Sequence, residues 1–194
     1  MYKSFYSMKT CKIYINWFFV SCLFFYSGII FSNELFQSNG AVVTSNALAT
    51  KVGEKILAEG GNAYDAATAI SAMLSVVEPF ASGLGGGAFW LIYDAKNKEY
   101  KTLDARETAP FKSYKDMYLD ENDNVIENAS RIGPLAAGIP GIPAVLSYVN
   151  TKYGSKKMTT ILAPAYHAAK NGFPVNNRYI RGAKYKKEWL NKYK

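Results

Sequence analysis

Residues 88–110 read AFWLIYDAKNKEYKTLDARETAP. Two runs, 88–95 and 99–105, flank the turn-forming Lys96-Asn97-Lys98, so the stretch predicts a β-hairpin. The first run is too apolar for a surface loop. Where the second ends, Asp104, Arg106 and Glu107 crowd together. One reading makes them surface charges and a structural ion pair. The other makes Arg106 a grip for an anion, because its planar fork of donors matches a carboxylate in two parallel bonds. Asp104 and Glu107 then orient the guanidinium or accept a ligand's ammonium group, an arrangement suited to the zwitterionic end of an amino acid. Spacing alone leaves both readings open.

Helices surround the hairpin. AVVTS (41–45) reads as a short strand, and Ser45 or Asn46 then caps a helix with Leu48, Val52 and Ile56 on one face and Gly60-Gly61 as its stop. A second, Ala-rich helix opens at Asn62 or Asp65 and ends at Pro79; being apolar nearly all round, it belongs in the centre. FASGLGGG (80–87) reads as a loop and LDENDN (119–124) as a turn. A Gly/Pro bend feeds a helix that stops at Gly154. Another runs to Gly172, with Thr159-Thr160 as its caps, and a last helical stretch covers 175–194. Three or so strands beside four or five helices do not alternate as in a doubly wound sheet; they predict α+β with helices layered on a sheet.

The formal net charge of +8 comes from the two ends. Residues 1–32 carry Lys3, Lys9 and Lys12 and no acid; residues 178–194 carry seven Lys or Arg against Glu188; the rest is close to neutral. This distribution gives no nucleic-acid surface across the fold. The three lysines precede an apolar stretch, 13–32, of signal-peptide to membrane-span length. Cleavage after Ser32 and retention as a membrane anchor both fit it, and either implies export to a periplasmic or extracellular site. Cys22 follows Phe19-Val20-Ser21, a weak lipid-attachment context. Both cysteines, Cys11 and Cys22, lie in residues 1–32, so a mature chain from residue 33 needs no disulfide. The basic residues 178–194 read either as a solvated helix face or as a contact for anionic lipid.

Other chemistries fit poorly. GLGGGA (83–88) has the glycines of a dinucleotide loop, but a strand follows where a phosphate-binding helix must start. DENDNVIE (120–127) has Val125 in place of the Gly of a calcium loop and Arg131 in place of its final Glu. His167 is the only histidine and has no Cys, Asp or second His at ligand spacing, so neither a metal nor a cofactor is expected.

Residues 40–180 as a whole resemble the opening of a γ-glutamyltranspeptidase (glutathione hydrolase) large subunit. ILAEGGNAYDAA, GLGGG, LDARETAP, GIPG and NGFPVN occur in the family's order. One departure is Glu78, where the pattern has His. The resemblance implies an N-terminal-nucleophile hydrolase of layered αββα architecture, here an incomplete one. It implies γ-glutamyl transfer or hydrolysis through a threonine acyl-enzyme, with glutathione and related γ-glutamyl compounds as substrates. It gives Arg106 the substrate α-carboxylate, supported by Asp104 and Glu107. The family's nucleophile lies in a Thr-x-His-x-Ser-Val stretch that this sequence lacks. The chain is therefore expected to be the N-terminal portion of a large subunit (33–194 after the signal or anchor), inactive alone. Its partners are the remainder of that subunit and the small subunit. Alternatives are an inactive remnant and a membrane-anchored non-catalytic module touching the bilayer through residues 13–32.

Overall fold

Two asparagines start the helical frame. Asn46 is extended, and its side chain accepts from Leu48 N at 3.0 Å, opening α1 (Ala47–Ala58). Gly60, at φ +79°, turns the chain out of that helix in a conformation only glycine adopts without strain. Asn62 then caps α2 (Ala63–Val77) in a reciprocal capping box with Asp65. The computed structural model describes residues 40–192, so the segment read as signal or anchor lies outside the described residues. Among the described residues no helix is long and apolar enough to cross a membrane.

Ala66, Ala69 and Ala72 keep α2 thin, which lets α1 pack closely on it, and a Cβ at Gly53 would overlap Ile70. Val52 and Ile56 are buried as expected, while Leu48 only borders the core. Ile161 completes this cluster from α5 (Met158–Asn171) and is fully buried, worth ~1.5–3 kcal/mol by transfer. Asp65, also fully buried, ties α2 to the segment ahead of α5. It accepts from Ser155 Oγ at 2.5 Å, from Ser155 N at 3.0 Å and from Lys156 N at 3.2 Å.

A single antiparallel hairpin, β1 (Ala88–Asp94) and β2 (Glu99–Ala105), runs in register from Ala88↔Ala105 to Asp94↔Glu99. Asp94 accepts from Lys96 N and Asn97 N to hold the turn. The side chains alternate: Trp90, Leu103 and Ala105 pack toward Val145 and Val149 of α4 (Ile142–Tyr153), whereas Phe89, Leu91 and Tyr93 face out. The remaining elements are α3 (Pro79–Ser82), α6 (Asn177–Tyr185) and α7 (Lys187–Lys192).

The α+β class holds, with three local corrections. Residues 41–44 form no strand: Val43 is exposed and unpaired in any ladder, and Thr44 Oγ1 bonds instead to Asn46 O and Thr50 Oγ1. Pro79 ends α2 but also begins α3, where a loop was expected, because its fixed φ suits a first helical turn. Thr159 and Thr160 are not caps; α5 begins earlier, after Lys157.

Candidate functional site

Two glycine-bearing motifs meet LDARETAP at the end of β2. GIPG (138–141) pairs with LDARETAP through reciprocal bonds, Thr108 N to Ile139 O at 3.2 Å and Ile139 N to Thr108 O at 2.8 Å. Gly86 of GLGGG accepts from Gly141 N and Ile142 N, each at 3.2 Å. The absence of side chains permits this approach. A Cβ at Gly87 would lie 2.5 Å from Glu107 Oε2, 2.7 Å from Arg106 Cα and 2.8 Å from Ala105 O; one at Gly141 would collide with the Ala105 carbonyl. A Cβ at Gly138 would lie 3.0 Å from Glu107 Cβ. The glycines thus enclose the Glu107 side chain and fix the backbone of Arg106.

The three charged residues divide the work. Asp104 Oδ1 accepts from the backbone N of Arg106 at 2.9 Å, so it sets the chain direction and does not hold the guanidinium. Glu107 Oε2 stands 3.5 Å from Arg106 Nε, close enough for an ion pair but without hydrogen-bond geometry, and is otherwise enclosed without a partner. With the arginine side chain 60% exposed, that pair contributes at most about 1 kcal/mol. Its effect is orientation. The guanidinium carbon lies 6.0 Å from the centre of the Phe89 ring. Its two terminal nitrogens hold no hydrogen bond among the described residues.

Arg106 and Thr108 separate two open clefts. One, of about 560 Å³, runs along β2 from Thr102 to Arg106 and reaches Val145 and Tyr148 of α4. The other, of about 470 Å³, is bounded by Glu107, Ser113, Met117, Tyr118 and Leu135. Tyr148 is a wall residue that the sequence did not single out. Lys152, one turn on, donates to its hydroxyl at 2.6 Å, and that bond holds the phenol below its ordinary pKa. The i, i+4 spacing of Tyr148 and Lys152 was the available signal.

Thr102 and Thr108 line the first of these clefts as internal residues of β2 and of LDARETAP. Thr159 and Thr160 line a separate cleft of about 570 Å³ with His167, and no hydrogen bond joins them to it among the described residues. Among the described residues no cluster of His, Cys, Asp or Glu has metal-ligand geometry.

A family model described as Gamma-glutamyltranspeptidase matches residues 49–194. The glutathione hydrolase proenzyme of Bacillus subtilis (strain 168) is 40% identical over 140 residues, covering 72% of this chain and 24% of that protein. The Escherichia coli (strain K12) glutathione hydrolase proenzyme is 44% identical over 138 residues, covering 71% of this chain and 24% of its own length. Among solved structures, Helicobacter pylori gamma-glutamyltranspeptidase aligns with a TM-score of 0.74 at 44% identity, over 77% of this chain and 42% of that one. The Pseudomonas nitroreducens enzyme complexed with L-DON aligns with a TM-score of 0.74 at 38% identity, over 78% of this chain and 45% of that one. The chain spans about a quarter of the length of the curated relatives it matches.

Proposed function

The chain belongs to the gamma-glutamyltranspeptidase family and has the α+β fold of an N-terminal-nucleophile hydrolase; from that premise we propose that it supplies the α-carboxylate grip of a γ-glutamyl-transferring or γ-glutamyl-hydrolysing enzyme. The observation that carries this reading is the Arg106 guanidinium. Its Nε stands 3.5 Å from Glu107 Oε2, its backbone N–H is held by Asp104, and the residue lines both open clefts. A carboxylate docking there gains two charge-assisted bonds to a pre-oriented donor.

In this reading the complete enzyme adds the nucleophile. A threonine from a Thr-x-His-x-Ser-Val stretch attacks the γ-amide carbon, and the carbon–nitrogen bond breaks. The amine leaves with a proton, and water or an acceptor amino acid takes the glutamyl group from the threonine ester. Glutathione and related γ-glutamyl compounds are the substrates. Arg106 does no bond-making; it fixes the distance between the held α-carboxylate and the reacting γ-carbon. The partners are the remainder of the large subunit and the small subunit. Residues 1–32 serve export, as a cleaved signal or an anchor, and residues 33–194 form one portion of the large subunit.

A chimera tests the assignment. Residues 40–180 replace the matching stretch of the Helicobacter pylori enzyme, and release of product from a γ-glutamyl anilide is followed. Turnover by the self-processed chimera, with none from the chain alone, supports the reading. Turnover by the chain alone, or a processed chimera that does not bind γ-glutamyl substrate, contradicts it.

A further inference from the structure

Phe89, Leu91 and Tyr93 share the outward face of the hairpin, and all three are exposed. Two of them face ordinary cross-strand neighbours. Tyr93 meets Tyr100 with ring centres 5.0 Å apart, and Leu91 stands opposite Thr102. Phe89 differs. Its neighbour across the ladder is Asp104, whose carboxylate is turned to the Arg106 backbone N at 2.9 Å. What the Phe89 ring meets is the guanidinium: Arg106 Cζ lies 6.0 Å from its centre, at the reach of a cation–π contact. Among the described residues Phe89 joins neither core cluster and no ring pair, and it is 72% exposed, so its own packing contributes little to the fold. Arg106 needs a second constraint. Its pair with Glu107 engages Nε alone, at 3.5 Å, and a single contact at one nitrogen leaves the guanidinium plane free to turn. Guanidinium groups stack on aromatic faces, and the contact strengthens as water is removed. A ring orients the plane without occupying the terminal N–H groups, as a second carboxylate would.

We propose that Phe89 is a positioning residue for the γ-glutamyl substrate: its ring holds the plane of the Arg106 guanidinium, so that both terminal nitrogens meet the α-carboxylate together. The inference rests on the reading of Arg106 as the carboxylate grip. Phe89 makes and breaks no bond and acts only through the arginine.

The test is a cycle of substitutions in the self-processed chimera, read on a γ-glutamyl anilide. Phe89→Leu keeps an apolar side chain and removes the ring face. KM should rise about 2- to 30-fold with kcat little changed, as for a contact shared by ground and transition states. Phe89→Tyr keeps the face and should hold KM within about twofold of the parent. With Arg106→Lys in place the stacked plane is gone, and Phe89→Leu should then move KM by less than about twofold. On the full chain, Phe89→Leu should leave the urea midpoint unchanged, since surface substitutions cost little, while the Arg106 side-chain proton resonances shift as the ring current is lost. An unchanged KM for Phe89→Leu, where Arg106→Lys raises it, overturns this inference and leaves the carboxylate grip standing. An equal KM rise in both backgrounds overturns it too, because the ring would then act independently of the guanidinium, and so do unmoved Arg106 resonances. Kinetics unchanged by Arg106→Lys itself would remove the grip, and with it anything for Phe89 to position.

Discussion

Replacing Gly87 by Ala adds one methyl group at the most crowded point of the site. It would stand 2.5 Å from Glu107 Oε2, 2.7 Å from Arg106 Cα and 2.8 Å from Ala105 O. Ordinary contacts need roughly half an ångström more against the two backbone atoms, and β2 cannot give that without loosening its pairing with β1. Glu107 Oε2 ends a flexible side chain and can give way, but Arg106 Cα and Ala105 O are backbone and cannot. Overpacking of this kind costs about 1–3 kcal/mol. With a urea slope of about 2 kcal/mol per molar, the midpoint of unfolding should fall by roughly 0.5–1.5 M. Gly85, two residues away, is the control: a Cβ there meets nothing within 4 Å. Gly85→Ala should leave the midpoint unchanged or raise it, by up to about 1 kcal/mol in stability, through a less flexible unfolded chain. In the chimera, Gly87→Ala should also lower kcat/KM, since a displacement approaching 1 Å in a positioning group costs as much as about 100-fold. Equal urea midpoints for the two variants would refute the claim that the glycine motif exists to admit the Arg106–Glu107 backbone.

Two further outcomes follow from the buried acids. Asp65→Ala leaves three backbone N–H groups without their acceptor and should cost on the order of 3 kcal/mol, read as a urea midpoint shift. Burial alone would raise the Asp65 pKa, but the Ser155 hydroxyl and the backbone N–H groups of Asn62, Lys156 and Ser155 outweigh it and hold it below the ordinary value. Its stabilisation is therefore present above about pH 4 and is lost as pH falls through the lowered folded value; the Asp65→Ala chain should lose less stability over that window. Arg178→Ala removes the cation facing the buried Glu78, leaving Ser45 Oγ at 3.1 Å as its hydrogen-bond partner. The cost should be about 1–3 kcal/mol, below that of a fully buried pair because Arg178 is half exposed, and a melt unchanged by this substitution would dismiss the pair as structural.

Much of the frame was legible because its punctuation is local. Asn46 and Asn62 cap, Gly60, Gly154 and Gly172 stop, and Lys96-Asn97-Lys98 turns, each acting within a few residues of itself. Residues 41–45 misled because β-branched composition favours a strand only where a neighbour supplies the ladder, and none does among the described residues. Arg106 stood out as a charge at a strand end, but spacing could not say which acid held it. Asp104 and Glu107 both lie within two residues of it, yet one takes the backbone and the other the guanidinium. The enclosure of Glu107 by Gly87 and Gly138 joins segments far apart in the chain, as does the bond from Ser155 to Asp65. Such contacts carry no local signal.

The central claim is that Arg106 holds the substrate's α-carboxylate. Its most direct test compares the unaltered chimera with Arg106→Lys on a γ-glutamyl substrate, with self-cleavage followed on a gel. Lysine keeps the charge and loses the two-bond fork. A contact of on the order of 1.5–3 kcal/mol corresponds to an approximately 10- to 150-fold fall in kcat/KM. Most of it should appear in KM if ground and transition states share the contact. Processing should be unchanged, because self-cleavage involves no γ-glutamyl carboxylate. Equal kinetics for the two proteins would contradict the account and leave LDARETAP as the anchor of a strand end.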